Sequence, residues 1–175
     1  MIKIYCDGSA KGNGTATSLG GAGVCALIFN DENNESDFRI DYIWKSRTNG
    51  TTNNREEMKA LIHAIDLAVN KYKDELCVIY SDSAYCVNMF NSWIKTWAAN
   101  NWKNSKDKIV ENCELVKQLY QFTLINFPNF RIEKCFGHSG IVGNELADAL
   151  ANDNQAKFAK IIKVNNIKGL MVDFL

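Results

Sequence analysis

The sequence predicts a mixed α/β fold in which a β-sheet carries helices on its faces. Three observations support this fold class: apolar-rich runs near the N-terminus, a change to helical spacing after residue 53, and later short apolar runs separated by helical segments. Strands in a meander followed by strands that alternate with helices indicate a mixed sheet with helices packed on it. With 175 residues, 46% hydrophobic residues and 1 proline, the chain can form one compact unit.

The first part of the chain is predicted to form three consecutive antiparallel strands. Two apolar-rich runs flanked by glycine clusters come first, and a third run alternates apolar and polar residues, which is typical of a strand with one buried face. The predicted strands cover residues 2–6, 22–29 and 37–45.

Beyond the third strand the pattern changes to the three-and-four spacing of an amphipathic helix. Met58, Leu61 and Ile65 share one face of a helix predicted from residue 54 to about residue 72, and Asn53 or Asn54 is the expected N-terminal cap. The later predicted elements are a buried strand over 76–80, helices over 84–93 and 108–124, a strand over 130–136 and a helix over 142–151.

Composition argues against several classes of protein. The chain contains no run of about 18 apolar residues and no basic-then-apolar N-terminus, so we expect neither a membrane span nor a signal peptide and predict a cytoplasmic protein. Its six cysteines are scattered without a C-x-x-C pair, which argues against a zinc site and does not demand a disulfide framework. Residues 154–175 carry four lysines, and we interpret them as a docked helix or extension of a main domain over residues 1–153.

The charge distribution is uneven although the formal net charge is zero. Equal numbers of basic and acidic residues, 20 each, by themselves argue against a nucleic-acid partner. Between residues 93 and 108, however, four lysines accompany one aspartate and are interleaved with three tryptophans. This segment suits a nucleic-acid surface, although its tryptophans can instead be core residues.

Four acidic residues lie near the ends of predicted strands or in predicted helices. Asp7 ends the first predicted strand, Glu57 lies in the first turn of the first helix, Asp82 follows the fourth strand, and Asp148 lies in the last helix. Strand ends and an opening helical turn can meet at one edge of a sheet, and clustered carboxylates need a cation, for which oxygen-only ligands favour magnesium or manganese over zinc. Taken singly, each acidic residue has a simpler explanation. Asp7 can be a turn residue, Glu57 can be favoured by the helix dipole, Asp82 can be a helix cap, and Asp148 can be a solvated helix residue.

Read together, four motifs resemble the type 1 ribonuclease H family in order, spacing and element context across residues 2 to about 152. The motifs are Asp7-Gly8-Ser9 with Gly12-Asn13, Thr51-Thr52-Asn53-Asn54-Arg55-Glu56-Glu57, Tyr80-Ser81-Asp82-Ser83, and Gly137-His138-Ser139-Gly140 with Asn144-Glu145 and Asp148. The resemblance implies a five-stranded mixed sheet whose first three strands are antiparallel. It also implies an endonuclease that hydrolyses the RNA strand of RNA–DNA hybrids without sequence specificity and gives 5′-phosphate and 3′-hydroxyl products.

The resemblance further implies catalytic roles for individual residues. Asp7, Glu57, Asp82 and Asp148 would be catalytic carboxylates that bind two Mg²⁺ ions, with Mn²⁺ able to substitute. His138 would assist proton transfer or product release; without the resemblance it would be an exposed loop residue.

Substrate contacts are also implied by the resemblance. Where many family members have an arginine two residues before Thr52, this chain has Gly50, and Arg47 is the nearby residue expected to replace it. The implied contacts are Asn13, Asn53 and Asn54 as readers of the RNA 2′-hydroxyl, Thr52 and Asn112 as the cradle of a DNA phosphate, Trp93 and Trp97 as the wall of the DNA channel, and Lys95, Lys103, Lys106 and Lys108 as phosphate ligands beyond it.

Two other functions compete with catalysis on hybrids. A noncatalytic RNA–DNA hybrid-binding module is the main alternative, and it predicts a broken carboxylate set, whereas all four acids are present. A related nuclease that acts on DNA junctions or strand ends is the other, against which the Thr-Asn-Asn segment and the tryptophans argue. The expected partner is an RNA–DNA hybrid, with no membrane and with the chain as a monomer.

Overall fold

The computed structural model describes residues 1–30, 37–137 and 139–169. These residues form a mixed sheet with helices on both faces, as the sequence predicts. The strands are β1 (Ile2–Lys11), β2 (Leu19–Phe29), β3 (Phe38–Asn49), β4 (Cys77–Ser81), β5 (Phe130–Lys134) and β6 (Lys168–Gly169). The helices are α1 (Asn53–Asn70), α2 (Ala84–Asn88), α3 (Ile94–Ala99), α4 (Cys113–Phe122), α5 (Val142–Ala151) and α6 (Gln155–Val164), with a π-helical turn over Met89–Trp93 between α2 and α3.

The sheet has the strand order β5-β4-β1-β2-β3-β6. β1, β2 and β3 are antiparallel neighbours, whereas β4 is parallel to both β1 and β5. The five-stranded mixed sheet is therefore confirmed, and the two-residue β6 adds a short parallel pairing at the edge of β3. The pairing of β1 with β4 stops at Cys6 and Ser81, so the next residue of each segment stands at the open end of that pairing.

The three antiparallel strands are longer than predicted. β1 continues to Lys11 and β2 begins at Leu19, because residues 7–11 pair with the glycine-rich start of β2. Because glycine weakens a strand, the glycines led us to predict strand ends at these positions. In the structure, pairing with the neighbouring strand keeps these residues extended. Asp7 consequently lies within β1 and not at its end.

α1 and α5 cover opposite faces of the sheet. Met58 and Leu61 of α1 belong to one buried cluster, and Leu146 of α5 belongs to another. α1 begins after Thr52, whose hydroxyl accepts a hydrogen bond from the backbone N–H of Arg55 at 3.3 Å. The prediction of an asparagine cap is wrong, because residues 53 and 54 already belong to the helix.

The segment between β4 and β5 is interrupted more often than predicted. Its first helix continues through the π-helical turn into α3 and ends at Ala99, beyond the predicted end at residue 93. α4 begins only at Cys113, because Asn112 has left-handed backbone geometry, with φ of 54°. Trp102 packs edge-on against Tyr120 with ring centroids 5.4 Å apart, and it is partly buried against the core, in line with the packing explanation.

The segment after residue 153 contains α6. Asn154 caps this helix by accepting a hydrogen bond from the backbone N–H of Lys157 at 2.9 Å, and Phe158 is buried in the same cluster as α5. Residues 170–175 of the predicted extension lie outside the described residues, and the division at residue 153 stays a prediction. Within the described residues, none of the helices combines the length and apolar character needed to cross a membrane.

Candidate active site

Three of the four predicted carboxylates converge at the end of the β1–β4 pairing. One oxygen from each of Asp7, Glu57 and Asp82 lies within 4.8 Å of the other two. Asp7 and Asp82 directly follow the last paired residues of two parallel strands, which places them side by side. Glu57 reaches them from α1. Its predicted place in the first turn is wrong by one residue, since Glu56 is the acidic residue there.

Gly8 sets the distance between β1 and α1. A Cβ atom on Gly8 would lie 2.1 Å from the backbone nitrogen of Glu57 and 2.3 Å from the carbonyl carbon of Glu56. Such contacts exclude any side chain unless the helix moves away from the strand. Gly8 therefore brings Glu57 to Asp7. The sequence pattern indicated only a turn at this glycine, since the contact is made by a distant part of the chain.

The adjacent residues Glu56 and Glu57 have different surroundings. Glu56 is fully buried and compensated, because its Oε1 accepts hydrogen bonds from the hydroxyl of Thr51 and from Nζ of Lys59, both at 2.7 Å. The Oε2 atom of Glu57 is buried with no hydrogen-bond partner in the described part of the chain. Since buried polar atoms are normally satisfied, this oxygen requires a partner that the protein itself does not supply.

Burial and like charge oppose ionisation in the cluster. Burial raises the pKa of Asp7 most, and the charges of Asp82 and Asp148 raise it further, to about 8. The pKa of Glu57 is also raised, first by burial and then by the charges of Asp7 and Asp82. A cation among these groups would have the opposite effect, because it stabilises the ionised form of each carboxylate that it contacts.

The donor set fits a hard divalent cation. The clustered ligand atoms are all carboxylate oxygens. Magnesium and manganese prefer oxygen ligands, whereas zinc is commonly bound by nitrogen and sulfur as well. The unpartnered oxygen of Glu57 and the raised pKa of Asp7 are both features that such an ion would resolve. Asp7, Glu57 and Asp82 are therefore the residues that can hold a metal, with Asp148 beside them.

Asp148, the fourth predicted ligand, lies beside the cluster and is also bound by two residues that do not belong to it. Its charge and a side-chain hydrogen bond with it both raise the pKa of Asp7. Its Oδ1 accepts a hydrogen bond from Nδ2 of Asn152 at 2.9 Å, and its Oδ2 accepts one from Nζ of Lys157 at 2.5 Å. Both of its oxygens thus have partners supplied by α6 or by the end of α5.

Two residues beside Asp82 had no assigned role in the sequence motifs. Asn144 is buried, and its Nδ2 donates to Oδ2 of Asp82 at 3.4 Å while its Oδ1 accepts from the thiol of Cys135 at 3.3 Å. Gly137 is so close that a Cβ atom would lie 2.6 Å from the same Asp82 oxygen. Both belong to the motif around His138, which was the available signal. His138 itself lies outside the described residues.

The predicted 2′-hydroxyl readers and the predicted phosphate cradle line one cavity at the start of α1. Its volume is about 440 Å³. The side-chain oxygen of Asn13 accepts a hydrogen bond from the backbone N–H of Asn53 at 2.8 Å, which ties the loop after β1 to the helix. The lining residues are Asn13, Thr52, Asn53, Asn54, Glu111 and Asn112.

Arg55 is the arginine that contacts this cavity. Its Nη1 donates to Oδ1 of Asn112 at 2.9 Å and pairs with Glu114 at 2.6 Å. Arg47 instead donates to the backbone carbonyl of Ala151, at the end of α5. The expectation that Arg47 replaces the missing arginine is therefore wrong, because α5 and α1 cover opposite faces of the sheet.

The tryptophan-rich segment presents aromatic and basic groups to solvent. Trp93 is 38% exposed, and its ring centroid lies 5.8 Å from that of Trp97, which packs against the core. Lys103 is paired with Asp107 at 3.0 Å. The exposed predicted lysines of the segment are Lys95, Lys106 and Lys108.

We expect the stability of the metal-free protein to fall as the pH rises from about 4 to about 8. Asp7 ordinarily ionises near pH 3.8, but the folded protein keeps its proton to about pH 8, so unfolding releases a proton within this window. At pH 7.5, Asp7→Asn should therefore raise the free energy of unfolding, by an amount on the order of 2 kcal/mol. Urea unfolding at pH 5 and pH 7.5 in EDTA measures the effect.

Magnesium provides the control for this prediction. Added Mg²⁺ should stabilise the wild-type protein at pH 7.5 and reduce its difference from Asp7→Asn, because the ion favours the ionised carboxylate. A wild-type protein whose stability does not decline relative to the variant across this pH range would show that Asp7 does not carry a raised pKa.

Comparison with known proteins gives consistent matches. The ribonuclease H family model matches residues 1–156. The chain is 38% identical over 164 residues to a ribonuclease H of Orientia tsutsugamushi (strain Boryong), covering 94% of this chain and 88% of that protein. It is also 38% identical over 154 residues to a ribonuclease H of Legionella pneumophila (strain Lens), covering 86% of this chain and 94% of that protein.

Two solved structures show the same fold. LC9-RNase H1, described as a type 1 RNase H with the type 2 active-site motif, matches with a TM-score of 0.72 at 23% identity, covering 97% of this chain and 86% of that chain. The solution structure of the PFV RNase H domain matches with a TM-score of 0.72 at 22% identity, covering 87% of this chain and 92% of that chain.

Proposed function

Because the chain belongs to the ribonuclease H family of nucleases, we propose that it hydrolyses the RNA strand of RNA–DNA hybrids, without sequence specificity and with bound Mg²⁺. The observation that carries this proposal is the convergence of the Asp7, Glu57 and Asp82 carboxylates within 4.8 Å. Mn²⁺ should substitute for Mg²⁺, since both ions prefer oxygen ligands.

The four predicted carboxylates have the task of holding the cations. The chemistry that two Mg²⁺ ions supply when bound is activation of a water nucleophile and stabilisation of the departing RNA 3′ oxygen. Burial and mutual repulsion favour the protonated forms of Asp7 and Glu57 in the metal-free site, and both groups would release these protons to solvent when cations are bound. Asn144 holds the carboxylate of Asp82 through its side-chain amide. Because water would be the nucleophile and the RNA 3′ oxygen the leaving group, the products would carry a 5′-phosphate and a 3′-hydroxyl.

Recognition of the hybrid is assigned to the cavity at the start of α1 and to the tryptophan-rich segment. Asn13, Asn53 and Asn54 offer polar groups that can contact the 2′-hydroxyl, the group that distinguishes RNA from DNA. Arg55 donates to Oδ1 of Asn112, which orients the amide so that Nδ2 can donate to a DNA phosphate. The exposed ring of Trp93 and the nearby lysines can contact the DNA strand beyond the phosphate cradle of Thr52 and Asn112.

The test of this function is a substrate comparison. Labelled RNA–DNA hybrid, duplex DNA and duplex RNA are each incubated with the protein, with Mg²⁺ or with EDTA. We expect Mg²⁺-dependent loss of the RNA strand of the hybrid alone, with a 5′-phosphate on the downstream fragment. Hybrid binding without cleavage would instead support the noncatalytic module, and preferential cleavage of DNA would support a nuclease for DNA junctions or ends.

His138→Ala should slow hydrolysis, on the order of a hundredfold, without abolishing it. The proposed role of His138 is proton transfer or product release, and water can replace a proton-transfer group at lower efficiency. The measurement compares the single-turnover rate constant with kcat from multiple turnover. The first reports the chemical step, and the second also includes product release. Ser139→Ala, an exposed neighbour in the same loop, is the matched control. Equal rates for wild type and His138→Ala would remove the histidine from the mechanism.

A further inference from the structure

Lys157 of α6 contacts Asp148, the fourth predicted metal ligand. Its Nζ lies 2.5 Å from Oδ2 of Asp148 and 2.6 Å from Oε2 of Glu145. The lysine side chain is 29% exposed, and the two carboxylates are 20% and 21% exposed. The ammonium group is therefore held between two partly buried acids of α5.

Both oxygens of Asp148 are occupied by this arrangement. Asn152 donates to Oδ1 at 2.9 Å while Lys157 donates to Oδ2. Asp148 nevertheless lies beside the cluster of Asp7, Glu57 and Asp82, because both its charge and a side-chain hydrogen bond with it raise the pKa of Asp7. Asp148 must therefore give up or share the ammonium group of Lys157 before it can complete a four-carboxylate site.

The position of Lys157 is fixed by the way α6 packs. Asn154 accepts a hydrogen bond from the backbone N–H of Lys157 at 2.9 Å and so sets the first turn of the helix. The next residue, Phe158, is 3% exposed and packs into the core beside α5. A capped and anchored helix turn thus holds the ammonium group against Asp148.

We propose that Lys157 is a positioning residue that competes with a divalent cation for the carboxylate of Asp148 and lowers the affinity of the site for divalent cations. This inference rests on the proposed function, because it concerns the same carboxylates. Two physical effects act together: a cation must compete with the ammonium group for Asp148, and the positive charge of Lys157 repels a cation nearby. The segment after residue 153 thereby sets the metal concentration at which the site is completed.

The test is calorimetric titration of Mn²⁺ into the substrate-free protein. Lys157→Met removes the charge and keeps most of the aliphatic stem, and Lys157→Gln is a second neutral variant. Both should bind Mn²⁺ more tightly than wild type, on the order of fivefold. Lys157→Arg should restore wild-type affinity. Lys160→Met is the matched control, since it removes the same charge from an exposed position of the same helix and should leave Mn²⁺ binding unchanged.

The outcomes separate this inference from the proposed function. Unchanged or weaker Mn²⁺ binding in Lys157→Met and Lys157→Gln, in a series where wild type binds and Asp7→Asn does not, would overturn the role of Lys157 alone. Equal tightening in Lys160→Met would show a general charge effect and would also overturn it. Mn²⁺ binding that is the same in wild type and Asp7→Asn would overturn the proposed metal site itself.

Discussion

Asp7→Asn and Asp82→Asn should each lower kcat for the RNA strand of a hybrid by at least about a thousandfold. Both carboxylates stand at the end of the β1–β4 pairing and share the cluster with Glu57. An amide is a neutral and weaker ligand for a hard cation, so either change should leave the cation pair improperly held. Hybrid affinity should stay within about threefold, because phosphate and 2′-hydroxyl contacts are assigned to other residues.

Asp66→Asn is the matched control for these variants. It makes the same chemical change on an exposed position of α1 and should retain full activity. Cleavage is measured by gel assay with labelled hybrid, and affinity is measured by fluorescence anisotropy in EDTA. Full activity in a folded Asp7→Asn protein would show that the metal site has been assigned to the wrong residues.

Gly8→Ala should have the largest effect on stability, with a loss of about 3 kcal/mol or more in the free energy of unfolding. The added methyl group would lie 2.1 Å from the backbone nitrogen of Glu57, and backbone cannot move aside as the end of a side chain can. α1 must therefore separate from β1. Because this movement also withdraws Glu57 from Asp7, cleavage of the hybrid should fall in the same variant.

Gly50→Ala distinguishes this steric clash from the general effect of replacing a glycine. Gly50 has a positive φ of 64°, and a Cβ there would meet only the carbonyl oxygen of Ala16, at 3.8 Å. Backbone strain alone should cost about 1 kcal/mol at this position. Urea unfolding of both variants gives the comparison. A Gly8→Ala protein as stable as Gly50→Ala would mean that β1 and α1 are not in close contact.

The regular elements were predictable where side-chain periodicity is strong. α5 was predicted over residues 142–151 and has those bounds, because its apolar spacing is regular. The ends of β1 and β2 were not predictable, since their glycines favour turns locally and only the pairing of the two strands keeps them extended. The cap of α1 was missed by one residue, because several consecutive residues there have capping side chains.

The candidate site was predictable in its acids but not in their surroundings. Motif order and strand topology together indicate that Asp7, Glu57 and Asp82 meet. The contacts of Gly8 with α1 and of Lys157 with Asp148 depend on how helices pack on the sheet and on each other, which no local pattern specifies. The expectation for Arg47 was wrong for the same reason. The nearness of Arg47 to Gly50 in the sequence does not determine on which face of the sheet its side chain lies.

The most direct test of the metal site is a crystal of the wild-type protein soaked in Mn²⁺, with anomalous diffraction recorded to locate the ions. The proposed function predicts an anomalous peak in direct contact with oxygens of Asp7, Glu57 and Asp82. Ions found only elsewhere on the protein, with these three carboxylates left without one, would contradict it.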